Sequence, residues 1–392
     1  MMRKPKLIRI TTVPISLEKL LQGQLRFMSS HFEVIAVSSE KENLAKVGQL
    51  EGVEVFHVEM TRKITPIADL KSVFRLYRFL RRERPFMIHS HTPKAGIVGM
   101  LAAKLARVPH RLHTVAGLPL LEATGKKRKL LDFVEKFTYA CATNVYPNSF
   151  GLKEIIIQNK YCDPNKLKVL ANGSSNGIDT DHFSASHFCA AGNLDMRKSL
   201  SIEPADFVFI FVGRLVKDKG INELIGAFRI LADEFPQVKL LLVGDYEADL
   251  DPLSAETINA INSHPAIKST GFQYDVRPYL TLSDALVFPS YREGFPNGVL
   301  QAGAMGLPCI VSDINGCNEI IKNGQNGRII PAKDQQALLN AMRELLSDTE
   351  LVAEMKQNAR PMIVDRFSQR VVWDAILEEY RKFGNPDRHY VS

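Results

Sequence analysis

The feature that most constrains the fold is a regular alternation of short apolar runs and longer amphipathic runs along almost the whole chain. In the first half, apolar runs typical of strands cover residues 7–12, 33–37, 53–57, 86–90, 111–114, 144–146 and 168–170. Runs with helical periodicity separate them at 16–29, 67–82, 94–107, 127–142 and 150–158. Strands that alternate with helices predict a parallel sheet that is covered by helices on both faces.

The second half repeats this alternation. Its predicted strands are 207–212, 239–243, 285–288, 309–311 and 328–330, and its predicted helices are 221–234, 299–305, 335–346 and 351–367. Because one sheet of ordinary size cannot hold so many strands, we expect an α/β chain of two doubly wound, Rossmann-like domains that face each other across a cleft. We place the domain boundary in the polar stretch 184–202, so that the domains cover residues 1–190 and 200–370. The last helix, 371–385, is expected to pack back on the first domain.

Size and composition fit an ordinary globular protein. The 392 residues are enough for two full cores, and 45% of them are hydrophobic and 24% charged. No apolar run approaches the roughly 18–20 residues needed to cross a bilayer, and residues 1–10 lack the apolar region of a signal peptide. The five cysteines are scattered without a Cys-x-x-Cys spacing, which favours a reducing compartment and argues against a metal site. We therefore expect a cytoplasmic protein without a metal or other cofactor.

The charge is unevenly distributed. Residues 1–199 carry 31 Lys and Arg against 17 Asp and Glu, whereas the remainder carries 19 against 26. Basic clusters lie at 75–84 and 126–129, and each of them is either a solvated helix face or a surface for anionic lipid, worth about 1 kcal/mol per basic residue. The second interpretation predicts peripheral association with the inner face of the cell membrane. No aromatic platform or DNA-reading motif accompanies the clusters, so nucleic acid is not an expected partner.

One candidate site follows the predicted strand 207–212. In open parallel sheets, ligands bind at the carboxyl ends of the strands, so loops in that position are informative. The loop reads Gly213-Arg-Leu-Val-Lys-Asp-Lys-Gly220. Arg214 and Lys219 suit a diphosphate, since Arg binds two oxygens at once and Lys acts as a point charge. The loop matches neither a P-loop nor a dinucleotide fingerprint, and surface salt bridges are the alternative interpretation.

A second loop follows the apolar run 284–290 and reads Arg292-Glu-Gly-Phe-Pro-Asn297. A helix is expected to begin near Gly298, so Glu293 lies beside backbone N–H groups at the positive end of a helix dipole. Gln301 comes eight residues later, on the same helix. This arrangement suits a ligand with both hydroxyls and an anionic group, such as a nucleotide sugar. In the alternative interpretation, Glu293 only caps the helix.

A third loop follows the predicted strand 86–90, where His91, Thr92 and Lys94 surround Pro93 at the start of another helix. Polar and cationic groups at a strand end favour a role in binding. His89 is expected to point to the opposite face of the strand and to be structural. The acidic run 245–251 is only weakly similar to a metal-binding pattern, and we predict no metal there.

These segments together resemble a known family. The motifs Gly213-Arg-Leu-x-x-x-Lys-Gly220, Pro289-Ser-Tyr-Arg-Glu-Gly-Phe-Pro-Asn297 and Asn176-Gly-Ile-Asp179 are similar to those of the retaining glycosyltransferases of family four, which have the GT-B fold. The segments around Thr11, His91, Thr114 and Asn172 resemble the CapM-like branch, which builds capsule, O-antigen and related glycans on polyprenyl-diphosphate carriers. The resemblance spans nearly the whole chain.

The resemblance implies a role for each matching residue. Arg214 and Lys219 would hold the donor diphosphate, Glu293 would contact the donor sugar, and His91 would lie near the transferred sugar and the acceptor. Position 301, which holds ribose hydroxyls in the family, is Glu there and Gln here, so the charged bidentate contact is lost. Further donor contacts are expected at Gly213, Gly271, Phe272, Gly294, Phe295, Pro296 and Asn297. Residues on the acceptor side are Thr92, Lys94 and Gly117.

The implied activity is transfer of a sugar, with an N-acetylated hexose favoured by the branch, from a UDP-sugar to a polyprenyl-diphosphate-linked glycan acceptor. A retaining transfer is expected to proceed on one face of the sugar, with the departing phosphate taking the acceptor proton. One alternative is a nucleotide-sugar epimerase of related fold, which would need acid and base carboxylates around the sugar. The other is an inactive nucleotide-sugar-binding protein, which only Gln301 favours.

Overall fold

A computed structural model describes residues 4–61, 63, 65–118, 120, 123–247 and 251–384. The chain divides into two compact units. The first unit holds the residues up to Gly177 together with those from Arg370 onward, and the second runs from Ile178 to Gln369.

The first unit is built on a parallel sheet of six strands. These are β1 (Lys6–Ile10), β2 (Glu33–Ser38), β3 (Glu54–His57), β4 (Met87–Ser90), β5 (His110–Val115) and β6 (Asn144–Pro147), in the order β3-β2-β1-β4-β5-β6. Successive residues of β1, such as Leu7 and Ile8, are both fully buried. Helices therefore cover both faces of this sheet, which is why its strands read as continuous apolar runs instead of alternating ones.

Among the described residues up to Gly177, the first unit has seven α-helices. They are α1 (Pro14–Leu20), α2 (Gln24–Ser29), α3 (Lys41–Glu51), α4 (Pro66–Glu83), α5 (Pro93–Leu105), α6 (Gly125–Cys141) and α7 (Phe150–Gln158). Pro66 and Pro93 occupy the first helical position of α4 and α5, where a missing N–H costs nothing and the fixed φ favours the helix.

The second unit repeats the design. Its strands are β7 (Phe207–Val212), β8 (Val238–Val243), β9 (Ile267–Ser269), β10 (Ala285–Phe288), β11 (Cys309–Ser312) and β12 (Gly327–Ile330). Its helices are α8 (Ala190–Ser199), α9 (Ile221–Glu234), α10 (Ala255–Ser263), α11 (Arg277–Thr281), α12 (Asn297–Ala304), α13 (Cys317–Ile320), α14 (Gln335–Ser347) and α15 (Thr349–Phe367). The last helix of the described chain is α16 (Gln369–Arg381).

Both sheets have the same topology. The second sheet is ordered β12-β11-β10-β7-β8-β9, so each unit, counted in its own strands, has the doubly wound order 3-2-1-4-5-6. The order reverses between β1 and β4 and again between β7 and β10. Loops leave these neighbouring strands in opposite directions, which opens a crevice for a ligand at the carboxyl edge. The expectation of two Rossmann-like α/β domains is confirmed.

Several local predictions are wrong. Residues 168–170 form no strand, and the adjacent Leu167 makes only an isolated bridge, to Val145 of β6. Strand β9 of the second sheet was not predicted. The predicted helix 16–29 is two helices, since Gly23 has a left-handed φ of 76° between them. Helices α3, α8, α10, α11 and α13 were not predicted from the sequence.

The boundary between the compact units lies at Gly177, before the predicted stretch 184–202. That stretch is not a linker, because it contains α8. The Arg197 guanidinium of α8 donates to the carbonyl oxygen of Leu282 at 2.7 Å and to that of Asp206 at 3.0 Å. These bonds fix α8 to the loops that enter β7 and β10. No helix among the described residues is both long and apolar enough to cross a membrane.

Helix α16 belongs to the first unit and is joined to it by a buried polar network. Arg9 on β1 is fully buried, and its Nη1 donates to the Tyr380 hydroxyl at 2.6 Å. The same hydroxyl lies 2.5 Å from Nδ1 of His89, whose Nε2 is 2.7 Å from the Thr114 hydroxyl. Arg9 also donates to the side-chain oxygen of Gln24. Among the described residues no carboxylate pairs with Arg9, so neutral oxygens must stabilise this buried cation.

We predict that Tyr380→Phe lowers the free energy of unfolding of the first unit by about 1.5–3 kcal/mol, because a buried charged group loses a hydrogen bond. Trp373 on α16 is the only tryptophan of the chain, so its fluorescence during urea unfolding reports on this unit. The matched control is Tyr274→Phe, since Tyr274 is 97% exposed and the change should be neutral. Equal unfolding midpoints for the two variants would contradict a stabilising role of the network.

Candidate functional site

The two charged loops of the second unit meet at its switch point. Lys219 lies in a short 3-10 turn after β7, and Glu293 lies in the turn after β10. The Lys219 ammonium donates to Oε1 of Glu293, and each side chain is only 15% exposed. β7 and β10 are paired directly, with Leu286 opposite Ile210. Sheet pairing therefore brings together two residues that are 74 positions apart in the sequence.

Glu293 does not cap the following helix, contrary to the alternative interpretation. Its Oε1 accepts from the Ser290 hydroxyl at 3.0 Å as well as from Lys219. The N-cap of α12 is Pro296, without a side-chain cap bond. The first N–H groups of α12 thus have no side-chain acceptor from the cap, which leaves them available to an anionic ligand.

Glycines allow the loops of this site to approach backbone to backbone. Gly220 has a φ of 71°, and a Cβ there would lie 2.1 Å from the carbonyl oxygen of Pro289. A Cβ at Gly244 would lie 1.8 Å from the carbonyl oxygen of Gly213. Larger residues at either position would push the loop after β7 away from its neighbours.

A third loop, after β11, supports the Glu293 turn and was not identified from the sequence. The Asn315 side-chain amide donates to the carbonyl oxygen of Glu293 and, at 3.5 Å, to that of Gly294. Gly316 has a φ of 79°, and a Cβ there would lie 2.5 Å from the Gly294 oxygen. The sequence feature that could have indicated this role is the position of the Asn-Gly pair, just after a buried strand and at the same edge of the sheet.

The acidic run 245–251 holds other loops of the site in place. The Asp251 carboxylate accepts from the backbone N–H of Asp218 at 2.6 Å, and Oδ1 of Asp245 accepts from that of Phe272 at 2.8 Å. Residues 248–250 of this run lie outside the described residues. Burial raises the pKa of Asp218, whose Oδ2 accepts from Arg292 at 2.8 Å.

The remaining predicted donor residues differ in accessibility. Arg214 is 54% exposed and pairs with Glu247. Gln301 is half-buried on α12, and its amide makes no hydrogen bond to any residue that the structure describes. Phe295 packs on Phe367 of the core, with ring centroids 5.3 Å apart, so its side chain is structural.

The loop after β9 contains Gly271, with a left-handed φ of 67°, and Phe272, which is 58% exposed. The exposed Phe272 ring is 5.0 Å from that of Tyr274. This loop therefore presents aromatic surface near the strand ends.

In the first unit, His91 follows β4 at the switch point. Its backbone N–H donates to the carbonyl oxygen of Ile10 on β1 at 3.1 Å. The ring is buried, and neither ring nitrogen has a hydrogen-bond partner among the described residues. Burial, assisted by the nearby Arg9 charge, lowers the pKa of His91 well below its usual value, so the imidazole is neutral at pH 7.

The prediction that His89 points to the opposite face is wrong. The His89 and His91 ring centroids are 4.2 Å apart, because residues two apart along an extended chain project to the same side. His89 is nevertheless structural, as expected, since both of its ring nitrogens bond within the buried network.

The other first-unit residues predicted for the acceptor side lie around the same strand ends. The Thr92 hydroxyl accepts from the backbone N–H of Thr12 at 2.9 Å and lies 2.7 Å from its hydroxyl. The Lys94 ammonium pairs with Asp69 at 2.5 Å. A Cβ on Gly117 would meet no atom within 4 Å, so this position faces open space.

Comparison with known proteins identifies the family. A model described as glycosyl transferases group 1 matches residues 193–362, and one described as a glycosyl transferase 4-like domain matches residues 26–173. The chain is also 32% identical to the capsular polysaccharide biosynthesis glycosyltransferase CapM of Staphylococcus aureus over 384 residues, which cover 97% of this chain and 98% of the relative. The chain is a glycosyltransferase.

This glycosyltransferase belongs to the capsule and O-antigen branch of the GT-B enzymes. It is 32% identical to an Escherichia coli UDP-Gal:alpha-D-GlcNAc-diphosphoundecaprenol alpha-1,3-galactosyltransferase, with 92% of this chain and 94% of the relative covered. Among solved structures, HepE of Anabaena in complex with UDP-glucose is similar, with a TM-score of 0.78 and 20% identity. The alignment covers 96% of this glycosyltransferase and all of that chain, and at this identity it shows the fold alone.

Proposed function

We propose that this glycosyltransferase moves a sugar, an N-acetylated hexose by preference, from a UDP-sugar to a polyprenyl-diphosphate-linked glycan acceptor, with retention of anomeric configuration. The observation that carries the proposal is the Lys219–Glu293 contact at the switch point of the second unit. A cation and a carboxylate are held there beside the N-terminus of α12. The cation and the helix N-terminus suit a diphosphate, and the carboxylate suits the hydroxyl groups of a sugar. The E. coli relative named above acts on a diphosphoundecaprenol-linked sugar, which supports the acceptor class.

In this proposal the second unit binds the donor. Arg214, Lys219 and the α12 N-terminus stabilise the diphosphate, and Glu293 accepts hydrogen bonds from sugar hydroxyls. The loop of Gly271 and Phe272 lies against the base. Backbone groups of residues 294–297 complete the contacts to sugar and phosphate, next to the Asn315 support.

Transfer follows from positioning and charge. As the sugar–phosphate bond breaks, negative charge grows on the leaving diphosphate, and Lys219 and Arg214 stabilise it without a bound metal. The acceptor hydroxyl attacks on the face that the diphosphate leaves, and the departing phosphate oxygen takes its proton. The neutral His91 on the first unit donates or accepts one hydrogen bond at the acceptor side without adding charge.

We predict that Lys219→Ala lowers kcat by about 100–1000-fold, since losing one donor to a developing charge costs roughly 3–4 kcal/mol. Lys217→Ala is the matched control, because Lys217 lies in the same turn but is exposed. The measurement is transfer of radiolabelled sugar from UDP-sugars to a synthetic polyprenyl-diphosphate-linked acceptor. Equal turnover of the two variants would refute the role of Lys219.

NMR of the product's anomeric proton tests retention in the same reaction. An epimerase would convert the donor without an acceptor, and an inactive binding protein would leave the acceptor unlabelled. Either result would refute the proposed transfer and favour the corresponding alternative function.

Gln301 generates a second prediction. Its amide supplies one acceptor and one donor, whereas a carboxylate accepts from two ribose hydroxyls. We predict that Gln301→Glu retains transfer and binds UDP several-fold more tightly, as measured by calorimetry. Gln301→Leu, the control of similar size, should weaken UDP binding. If Gln301→Glu abolished binding, the ribose would lie elsewhere.

We also propose that the first unit contacts an anionic membrane surface. Lys126, Lys127 and Lys129 are exposed on the first turns of α6 and take part in no ion pair with described residues. Replacing Lys126 and Lys127 by Glu should weaken co-sedimentation with phosphatidylglycerol-containing vesicles by at least tenfold, at about 1 kcal/mol per basic residue removed.

The control for this experiment replaces Lys41 and Lys46 by Glu on the exposed side of α3, with the same change in net charge. Equal loss in both variants would show that only total charge matters. Unchanged vesicle binding of the α6 variant would show that the start of α6 does not contact the membrane.

A further inference from the structure

The first unit contains an apolar cavity that extends beyond the acceptor-side residues described so far. Its volume is about 500 Å³, within the range of small-molecule pockets. Apolar side chains of α5 and α6 form most of its wall, together with one residue of the connection between β5 and α6. These are Ile97, Leu120, Leu130, Leu131 and Val134.

One end of this cavity reaches the acceptor-side residues. Thr12, Thr92 and Lys94 line it there, at the switch point between β1 and β4. Thr92 precedes α5, a helix of 13 residues whose first N–H groups and positive dipole end favour an anion. A ligand in the cavity would therefore have an apolar part between α5 and α6 and an anionic part beside Thr92 and Lys94.

Apolar side chains lie exposed on the helices around the cavity. Helices α4 and α6 each pack against α5, and both contribute residues to the cavity lining. On α4, Leu70 is 67% exposed and Phe74 60%, and on α6, Leu130 is 46% exposed and Phe133 64%. Exposed apolar residues clustered near basic ones are typical of a surface that meets lipid.

The charges at the cavity permit an anionic ligand. Of the acidic side chains in its lining, Asp69 is already paired with Lys94. Burial raises the pKa of the other, Glu135. The unpaired lysines of α6 stand at the start of the same helix whose later turns form the wall.

We propose that this cavity binds the isoprene units next to the diphosphate of a polyprenyl carrier, so that the enzyme recognises the lipid of its acceptor as well as the sugar. The cavity has room for a few isoprene units and not for a whole chain, and the remainder of the chain would lie along the lipid-facing side chains of α4 and α6. This inference rests on the proposed function, because it assumes a lipid-diphosphate acceptor.

The test compares two soluble diphosphates that differ only in chain length. Farnesyl diphosphate has three isoprene units and dimethylallyl diphosphate, which is allylic as well, has one. We expect the wild-type protein to bind farnesyl diphosphate at least tenfold more tightly by calorimetry, since apolar burial adds affinity with every methylene. Val134→Trp, which fills the cavity, should reduce this ratio to near one.

Ala140→Trp is the matched control, because Ala140 is exposed on the same helix and does not line the cavity. It should keep the wild-type ratio. Leu130→Asp is a second cavity variant. Because Leu130 is 46% exposed, a charged side chain at this position should not disturb folding, and the variant should reduce the ratio as Val134→Trp does.

An equal affinity of the wild-type protein for the two diphosphates would overturn the inference. So would a chain-length ratio that is unchanged in both cavity variants, or one that is reduced equally by Ala140→Trp. The assay contains neither donor nor sugar acceptor. A failure of transfer in the wild-type protein would therefore refute the proposed function without affecting this result.

Discussion

The contact between Lys219 and Glu293 is the interaction on which the candidate donor site depends. Opposite charges that are this buried are stable only when each keeps its partner, because removing one leaves the other desolvated and uncompensated. Ser290 and the backbone glycines of the neighbouring loops hold the pair in one geometry. The site thus keeps a cation and an anion within a hydrogen bond of each other before any ligand arrives. A diphosphate and a sugar hydroxyl can replace that contact by two new ones.

The same strand order serves different chemistry in the two units. At the switch point of the second unit, the loops carry charged side chains and tight glycine turns. At that of the first unit, they carry a neutral buried histidine, threonines and an apolar cavity. The backbone topology decides where a ligand can bind, and the residues at the strand ends decide which ligand it is.

Much of this could be predicted from the sequence because it depends on local pattern. The bounds of β7 and β10 were predicted without error, since their apolar runs are bounded by polar turns. Ligands of such sheets bind at the carboxyl ends of strands, so these bounds also indicated where to look for a site. Lys219 and Glu293 were predicted as site residues from their positions after those strands, and the structure brings their side chains into contact. Asn315 and Gly316 were not, because their role is set by a backbone approach to Gly294, 21 residues away from Asn315. The run 168–170 was mistaken for a strand, since a pattern cannot show that its pairing with the edge strand β6 stops at a single bridge, between Leu167 and Val145.

The polar network around Arg9 joins residues 371 positions apart, which has a consequence for synthesis. The first unit emerges first from the ribosome, yet its sheet cannot surround the Arg9 cation with hydrogen-bonding partners until α16 supplies the Tyr380 hydroxyl. The second unit is complete earlier, since all of its strands and helices precede α16. Among the described residues, the unit made second can therefore complete its set of elements while the unit made first still lacks Tyr380, in the last turn of α16. A chain interrupted before Tyr380 would contain every element of the second unit, but its first unit would lack one of the hydrogen-bond partners of Arg9.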